Sequence, residues 1–386
     1  MISARAILEQ LVAIPSVSNQ TNRPLIEAIQ KILEPLGWHH RLFPYNDAAG
    51  IEKLNLIVSS QPPQQGSEDQ TIEAELAIVC HTDTVPFNTA SWPHATQLRE
   101  QDGMLHGCGS CDVKGFLACI LAAVSELDAT HLHHPLCLVF TADEEIGCRG
   151  ARFLVEQKAL HTRYAIVGEP TSLTPAHAGK GYCLASIHVK GSAAHSAYPD
   201  AGRSAIFAAA RLLREIELIS QELIQDRNDA FSPPWTTINV GEIHGGTAKN
   251  IVPADCSFLL EWRPIPGQPT DLVLNRLRSI IERLSSEEGP NKLEAEIEVL
   301  RLEQGFDTNP TSPVVRAVQL PSSARARAHT IAFGTEAPWL ARMGAEAVVI
   351  GPGSMLTAHS PRECIPLTEL EECVQLLRTA IHQLCN

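Results

Sequence analysis

The sequence predicts an α/β fold: a mostly parallel sheet flanked by helices, interrupted by an inserted α+β two-layer sandwich. Three observations predict it. Short aliphatic runs at 76–80, 136–140, 164–167 and 347–350 break off into polar residues, the habit of strands buried on both faces of a parallel sheet. Helix-like apolar spacing stands between these runs. From 181 to 304 the pattern changes to half-polar alternation, at 184–189, 236–240 and 256–262, with helices near 201–218 and 270–284, which marks a separate two-layer unit. The expected division is therefore 1–180 and 305–386 as one domain, with 181–304 inserted.

A chain of 386 residues exceeds one ordinary compact domain, and 44% hydrophobic with 19% charged residues is a globular composition rather than a disordered one. Thirty basic against 44 acidic residues give a net charge of −14 with no Lys/Arg run, which makes nucleic acid and anionic membranes poor partners. No apolar run approaches the roughly 20 residues that span a bilayer. The first eleven residues mix Arg5 and Glu9 into an amphipathic pattern without a signal core, so a cytoplasmic location is expected. The eleven cysteines are scattered and odd in number, and read as reduced core residues. Cys108 and Cys111 lack a second pair to complete a zinc knuckle.

In chain order, 3–13 and 24–36 have helical spacing, 38–43 and 55–58 read as short strands, and 61–75 as a surface loop. The run at 76–80 ends in His81-Thr-Asp83, an imidazole and a carboxylate spaced by one residue. Gly107-Cys-Gly-Ser-Cys-Asp112-Val-Lys-Gly115 then precedes a helix over 116–127; its glycines allow a tight turn and put Asp112 at the helix entrance, as a cap or as a ligand. After 136–140 come Thr141-Ala-Asp-Glu-Glu145, consecutive acids that are costly unless solvated or bound to a cation. After 164–167 come Gly168-Glu169-Pro170-Thr171, and 347–350 leads through Gly351-Pro-Gly353 to His359. Ligands collect beyond the carboxyl ends of parallel strands, so imidazoles and carboxylates past four such ends, with Asp112 from a helix start, point to a metal site.

The ordered series His81-Thr-Asp83, Gly107-x-Gly-x-x-Asp112-x-Lys-Gly115, Glu144-Glu145-x-Gly147, Gly168-Glu169-Pro170-Thr171 and Ala358-His359 resembles the M20 family of co-catalytic zinc aminoacylases and peptidases over nearly the whole chain. Gly334-Thr-Glu-Ala337, Gly351-Pro-Gly-Ser354 and Lys180-Gly181 are most similar to the branch of that family that deacetylates acetylornithine, although Cys108 stands where many relatives have Arg. The resemblance implies a zinc-peptidase-like catalytic domain with an inserted dimerisation and lid domain. It implies hydrolysis of N2-acetyl-L-ornithine to L-ornithine and acetate in arginine biosynthesis. Acetylcitrulline, N-succinyl-diaminopimelate or a dipeptide would be other substrates of the same chemistry, and a non-catalytic scaffold would be a reading of another class.

For the site, the resemblance implies that Asp112 bridges two divalent metal ions, with His81 and Glu169 completing one site and Glu145 and His359 the other. Carboxylate oxygen and imidazole without thiolate suit zinc, and also cobalt or manganese. Glu144 would then be the general base, and Asp83 would orient His81 through a hydrogen bond. Arg263, in Glu261-Trp-Arg-Pro264, is expected to bind the substrate carboxylate, with Asn250 as a second substrate-binding candidate and Glu336 as a candidate for the cationic side chain. The family's insertion forms a homodimer interface, across which His195 would reach the partner's active site and stabilise an oxyanion.

Overall fold

The computed structural model describes residues 2–62, 71–287, 292–319 and 329–386. The chain opens on two amphipathic helices, α1 (Ala4–Val12), capped by the Ser3 hydroxyl, and α2 (Arg23–Leu33), with Pro24 in its first turn. Each buries one apolar stripe, Ile7, Leu8, Leu11 and Val12 in the first and Leu25, Ile26, Ile29 and Leu33 in the second. Then follow β1 (His39–Asn46), β2 (Glu52–Ser59), β3 (Ile72–His81), α3 (Lys114–Val124), β4 (Leu136–Thr141), α4 (Arg149–Glu156) and β5 (Leu160–Gly168). The loop expected at 61–75 lies partly outside the described residues. Its end is strand instead: Ile72 to Glu75 alternate and belong to a half-exposed start of β3.

Next come β6 (Tyr182–Lys190), α5 (Ala205–Leu223), β7 (Thr237–Gly245), β8 (Asp255–Arg263), α6 (Leu272–Ser285) and β9 (Glu294–Glu303), and finally β10 (Glu346–Ile350) and α7 (Leu367–Cys385). The chain forms two compact units, one of Met1–His177, Asp307–His329 and Thr335–Asn386, the other of Ala178–Phe306 and Thr330–Gly334.

Six neighbouring strands of a nine-stranded sheet run β1-β2-β4-β3-β5-β10, with β4, β3, β5 and β10 mutually parallel. Leu76, Ile78 and Cys80 of β3 and Leu138 and Phe140 of β4 share a core with α3, a helix buried along its whole length, and with α1 and α7. The contact between α3 and β5 is close enough to require glycine: a Cβ on Gly168 would stand 2.1 Å from the Phe116 ring. Among the described residues no helix is long and apolar enough to cross a membrane.

The second unit is an antiparallel sheet ordered β7-β8-β6-β9, with α5 and α6 on one face. Period-2 alternation decides which side is covered: Cys183, Ala185, Ile187 and Val189 of β6 and Cys256, Phe258, Leu260 and Trp262 of β8 point into the helices. Strand β9 is not among the expected strands, although Glu294, Glu296 and Glu298 alternate with Ala295, Ile297 and Val299; a bulge between Val299 and Arg301 breaks the period after that. None of the eleven cysteines is in a disulfide, and ten of them are buried.

Candidate metal centre

Because β4, β3, β5 and β10 are parallel neighbours, their carboxyl ends share one edge of the sheet. The register sets His81 opposite Thr141 and Gly168 opposite Ile350, so the acids after Thr141, Glu169 after Gly168, and the loop leading from Ile350 to His359 gather around His81. Asp112 arrives from the glycine loop before α3. It is not the helix cap: Val113 holds that position without a side-chain bond, and the Asp112 carboxylate turns to the histidines. Gly109 has φ of +76°, a left-handed conformation that favours glycine. Asp143 (+59°) and His359 (+57°) hold the same conformation with side chains, a strain on the order of 1–3 kcal/mol each that clusters where function needs a fixed direction.

The central feature is the division of Asp112 between two imidazoles. Its Oδ1 lies 3.1 Å from His81 Nε2, and its Oδ2 lies 3.0 Å from His359 Nε2. Glu145 is 3.1 Å from the same nitrogen of His359. Two overlapping clusters result, His81–Asp112–Glu169 and Asp112–Glu145–His359, each with one ligand atom per residue within 4.8 Å of the others. On the far side of its ring, His81 donates from Nδ1 to the main-chain carbonyl of Asp83 at 3.0 Å. That tautomer leaves a bare Nε2 lone pair facing a carboxylate, an arrangement that needs a proton or a metal cation between the two. Glu169 adds a buried Oε1 with no hydrogen-bond partner among the described residues. The residues fit a pair of divalent cations.

The electrostatics agree with the donor set. Burial pushes Glu144 up to about 8, with Glu145 and Asp112 adding to the rise and His81 opposing it. Burial also raises Glu145 and, with the Glu144 charge, lifts Glu169 well above the usual range. Burial alone would raise Asp112 too, but hydrogen bonds with His359 and His81 hold it well below the ordinary carboxylate value. His359 is raised to about 10, chiefly by its hydrogen bond to Asp112 and then by the one to Glu145. Opposite shifts packed this closely are typical of a functional cluster.

The hydrogen bond expected between His81 and Asp83 is present, to the main-chain carbonyl and not to the carboxylate. The carboxylate Oδ1 of Asp83 stands 3.7 Å from His81 Nδ1, too far for a hydrogen bond, so the carbonyl orients the ring instead. The carboxylate accepts from the main-chain N–H groups of Glu144 (3.0 Å) and Glu145 (3.2 Å) and from Ser18 Oγ (2.8 Å). It thereby aims the adjacent acids. Lys53 was missed in the sequence: 1% exposed, it pairs with Asp143 at 2.8 Å, and Tyr45 donates to the other Asp143 oxygen at 2.8 Å. A lysine inside the apolar run of β2 was the available signal. Cys148 Sγ lies 3.4 Å from Glu144 Oε1. Glu336, also 1% exposed, precedes the short helix Ala337–Arg342 and has neither oxygen in a hydrogen bond among the described residues. Burial raises it to about 7, opposed by His81 and by the nearby Thr141 hydroxyl, which lies outside hydrogen-bond geometry.

Three further sequence candidates lie in the second unit. His195 is exposed on a two-residue ladder, Ala194–His195 against Ile251–Val252, and its Nδ1 accepts the Ala197 N–H at 3.1 Å. Asn250, at the edge of that ladder, accepts the Ser196 N–H through its carbonyl. Arg263 ends β8, donates from Nε to Glu261 and from Nη1 to the Ala332 carbonyl, both at 2.8 Å, and stacks on Tyr182.

A model of peptidase family M20/M25/M40 matches residues 77–383, a span that holds every residue of both clusters. The chain belongs to the M20 family. An acetylornithine deacetylase of Myxococcus xanthus is 44% identical to it over 383 residues, covering 99% of this chain and 97% of that one. Two solved structures share the fold at lower identity. A tripeptidase of Staphylococcus aureus superposes with a TM-score of 0.75 at 22% identity, covering 98% of this chain and 96% of that one. An M20-family metallo-carboxypeptidase of Sulfolobus solfataricus gives 0.74 at 18% identity, covering 100% and 99%. The expected family, the α/β fold with its inserted α+β unit, and the hydrolase class therefore stand, and this M20 hydrolase carries two candidate metal sites.

Proposed function

We propose that this M20 hydrolase is a two-metal amidohydrolase that removes the acetyl group from N2-acetyl-L-ornithine, giving L-ornithine and acetate. The observation that carries the metal assignment is Asp112, with one oxygen 3.1 Å from His81 and the other 3.0 Å from His359. Asp112, His81 and Glu169 would hold one ion, and Asp112, Glu145 and His359 the other. When bound, two divalent ions, zinc or alternatively cobalt, polarise the amide carbonyl and lower the pKa of water.

The chain's own groups do the proton work. Glu144 removes a proton from the attacking water and, as the C–N bond breaks, passes it to the leaving nitrogen; the proton left on the new carboxyl group then follows to the amine, so acetate and the ammonium form of ornithine separate with atoms and charge in balance. The Cys148 thiol steadies Oε1 of Glu144. His195 is the oxyanion donor, supplied across a homodimer in which the inserted unit serves as dimerisation and lid domain. That role is supported by its tautomer: Nδ1 accepts the Ala197 N–H, which puts the proton of the neutral ring on Nε2, as a donor needs.

The substrate reading rests on the 44% identity to an acetylornithine deacetylase over 99% of the chain. A buried carboxylate without a hydrogen-bond partner supports Glu336 as the group that meets the ammonium of ornithine. Arg263, already oriented by Glu261 and Tyr182, offers its remaining N–H groups to the α-carboxylate, with Asn250 beside it in role. A panel of acetylornithine, its α-amide, acetylnorvaline, acetylcitrulline, N-succinyl-diaminopimelate and a dipeptide, assayed with zinc-reconstituted protein, tests all of this. Acetylornithine is expected to give the highest kcat/KM. Glu336→Gln should erode its preference over acetylnorvaline by about tenfold or more, the worth of one charged hydrogen bond. Arg263→Leu should erode the preference for free acid over amide, and Asn250→Ala should raise KM. Unchanged preferences or KM remove the residue concerned. A faster substrate elsewhere in the panel displaces ornithine, and silence throughout favours the scaffold.

A further inference from the structure

The stretches carrying Asp112 and His359 come from opposite ends of the first unit's sequence, and one side chain outside every sequence motif ties them together. Glu363 follows His359 by four residues and is 1% exposed. Its Oε1 accepts the main-chain N–H of Cys111 at 2.9 Å and of Asp112 at 3.0 Å, and its Oε2 accepts that of Gly109 at 3.1 Å. All three donors belong to the glycine loop, and one is the amide of Asp112 itself. The strand that begins one residue later, Cys364–Pro366, pairs with His106, Leu105 and Met104, immediately before that loop. The segment behind His359 is thus fastened to the Asp112 loop by a carboxylate and then by a ladder.

We propose that Glu363 is a positioning residue for the metal centre, setting the direction of Asp112 and its distance from His359 without touching a metal ion. The proposal rests on the two-metal reading above. Its physical basis is the acceptor count. A short loop crowded with glycines has no regular ladder of its own, and Glu363 supplies acceptors for three of its amides at once. Moving Asp112 by even part of an ångström would open one imidazole gap while closing the other, because its two oxygens serve different histidines. Glutamine cannot replace it, since an amide has one acceptor oxygen, and its NH2 would face an N–H of the loop. Aspartate keeps the charge but is one methylene too short to reach all three donors.

The test titrates zinc alone into metal-stripped wild type, Glu363→Gln, Glu363→Asp and Asp112→Ala, and follows each ion's affinity together with the unfolding temperature of the metal-free protein. Glu363→Gln is expected to bind zinc about 10- to 100-fold more weakly, the usual consequence of removing a partner behind a ligand, with all five ligands present. Glu363→Asp should fall between it and wild type. Ile365→Val, a buried change in the same segment, serves as the stability control and should lower the unfolding temperature without weakening zinc. Wild-type zinc affinity in folded Glu363→Gln overturns the proposal, as does an equal loss of affinity in Ile365→Val. Should Glu363→Gln fail to fold, Glu363→Asp decides: wild-type affinity there overturns the proposal too. Failure of the two-metal reading looks different, because Asp112→Ala would then bind zinc as wild type does.

Discussion

Glu144 and Glu145 are neighbours in sequence with unlike surroundings. Glu145 reaches His359 at 3.1 Å, whereas Glu144 has a thiol at 3.4 Å and lies in neither ligand cluster. Successive side chains past a strand end point apart, and the Asp83 carboxylate fixes both backbones by accepting their N–H groups. Glu144→Gln is therefore expected to keep both metal ions and lose turnover by roughly 10² to 10⁴ or more, while Glu145→Gln loses affinity for one ion. Elemental analysis beside kcat distinguishes them; a Glu144→Gln protein lacking one metal would mean that the roles are exchanged. At this scale the ligand types were legible because each broke out of an apolar run. The orienting contacts were not: the Asp83 carbonyl is a main-chain atom that any residue carries, and Glu363 works through main-chain amides 251 to 254 positions away.

The four parallel strand ends, and Glu336 before the helix Ala337–Arg342, supply acids that burial holds above their ordinary values. Glu144 is pushed up to about 8 and Glu336 to about 7, and His359 is raised to about 10 by Asp112 and Glu145. These groups bind protons more tightly in the folded than in the unfolded protein. Their stabilisation of the metal-free form is complete below the unfolded values, near 4.5 for the acids and 6.5 for the histidine, and is lost as pH climbs through the raised ones. Metal ions compete with those protons. The rise in unfolding temperature on adding zinc is thus expected to be small at pH 5.5 and to grow steadily to pH 8. A rise that is constant over that range would contradict a site built from these acids. The strands themselves were readable from their aliphatic runs, and α3 from its long apolar stretch. Strand β9 was not, because the alternation of Glu294, Glu296 and Glu298 with Ala295, Ile297 and Val299 is cut short by the bulge before Arg301, and the start of β3 reads as loop because alternating Glu73 and Glu75 look like surface.

For the whole molecule, the metal-type ligands, Glu144 and Glu336 lie in the first unit, and His195, Asn250 and Arg263, with the roles proposed for them, in the second. If His195 serves the partner's site, mixing inactive His195→Ala with inactive Glu144→Gln under subunit exchange should restore activity, since each heterodimer then holds one intact site. Continued inactivity with exchange confirmed by mass would place His195 in its own chain's site. The account as a whole depends on one carboxylate serving two metal ions, and counting metal in purified variants reads that directly. Wild type is expected to carry two zinc ions per chain, His81→Ala one, His359→Ala one, and Asp112→Ala neither. An Asp112→Ala protein that still holds a full complement, or a wild type that never binds more than one ion, would contradict it.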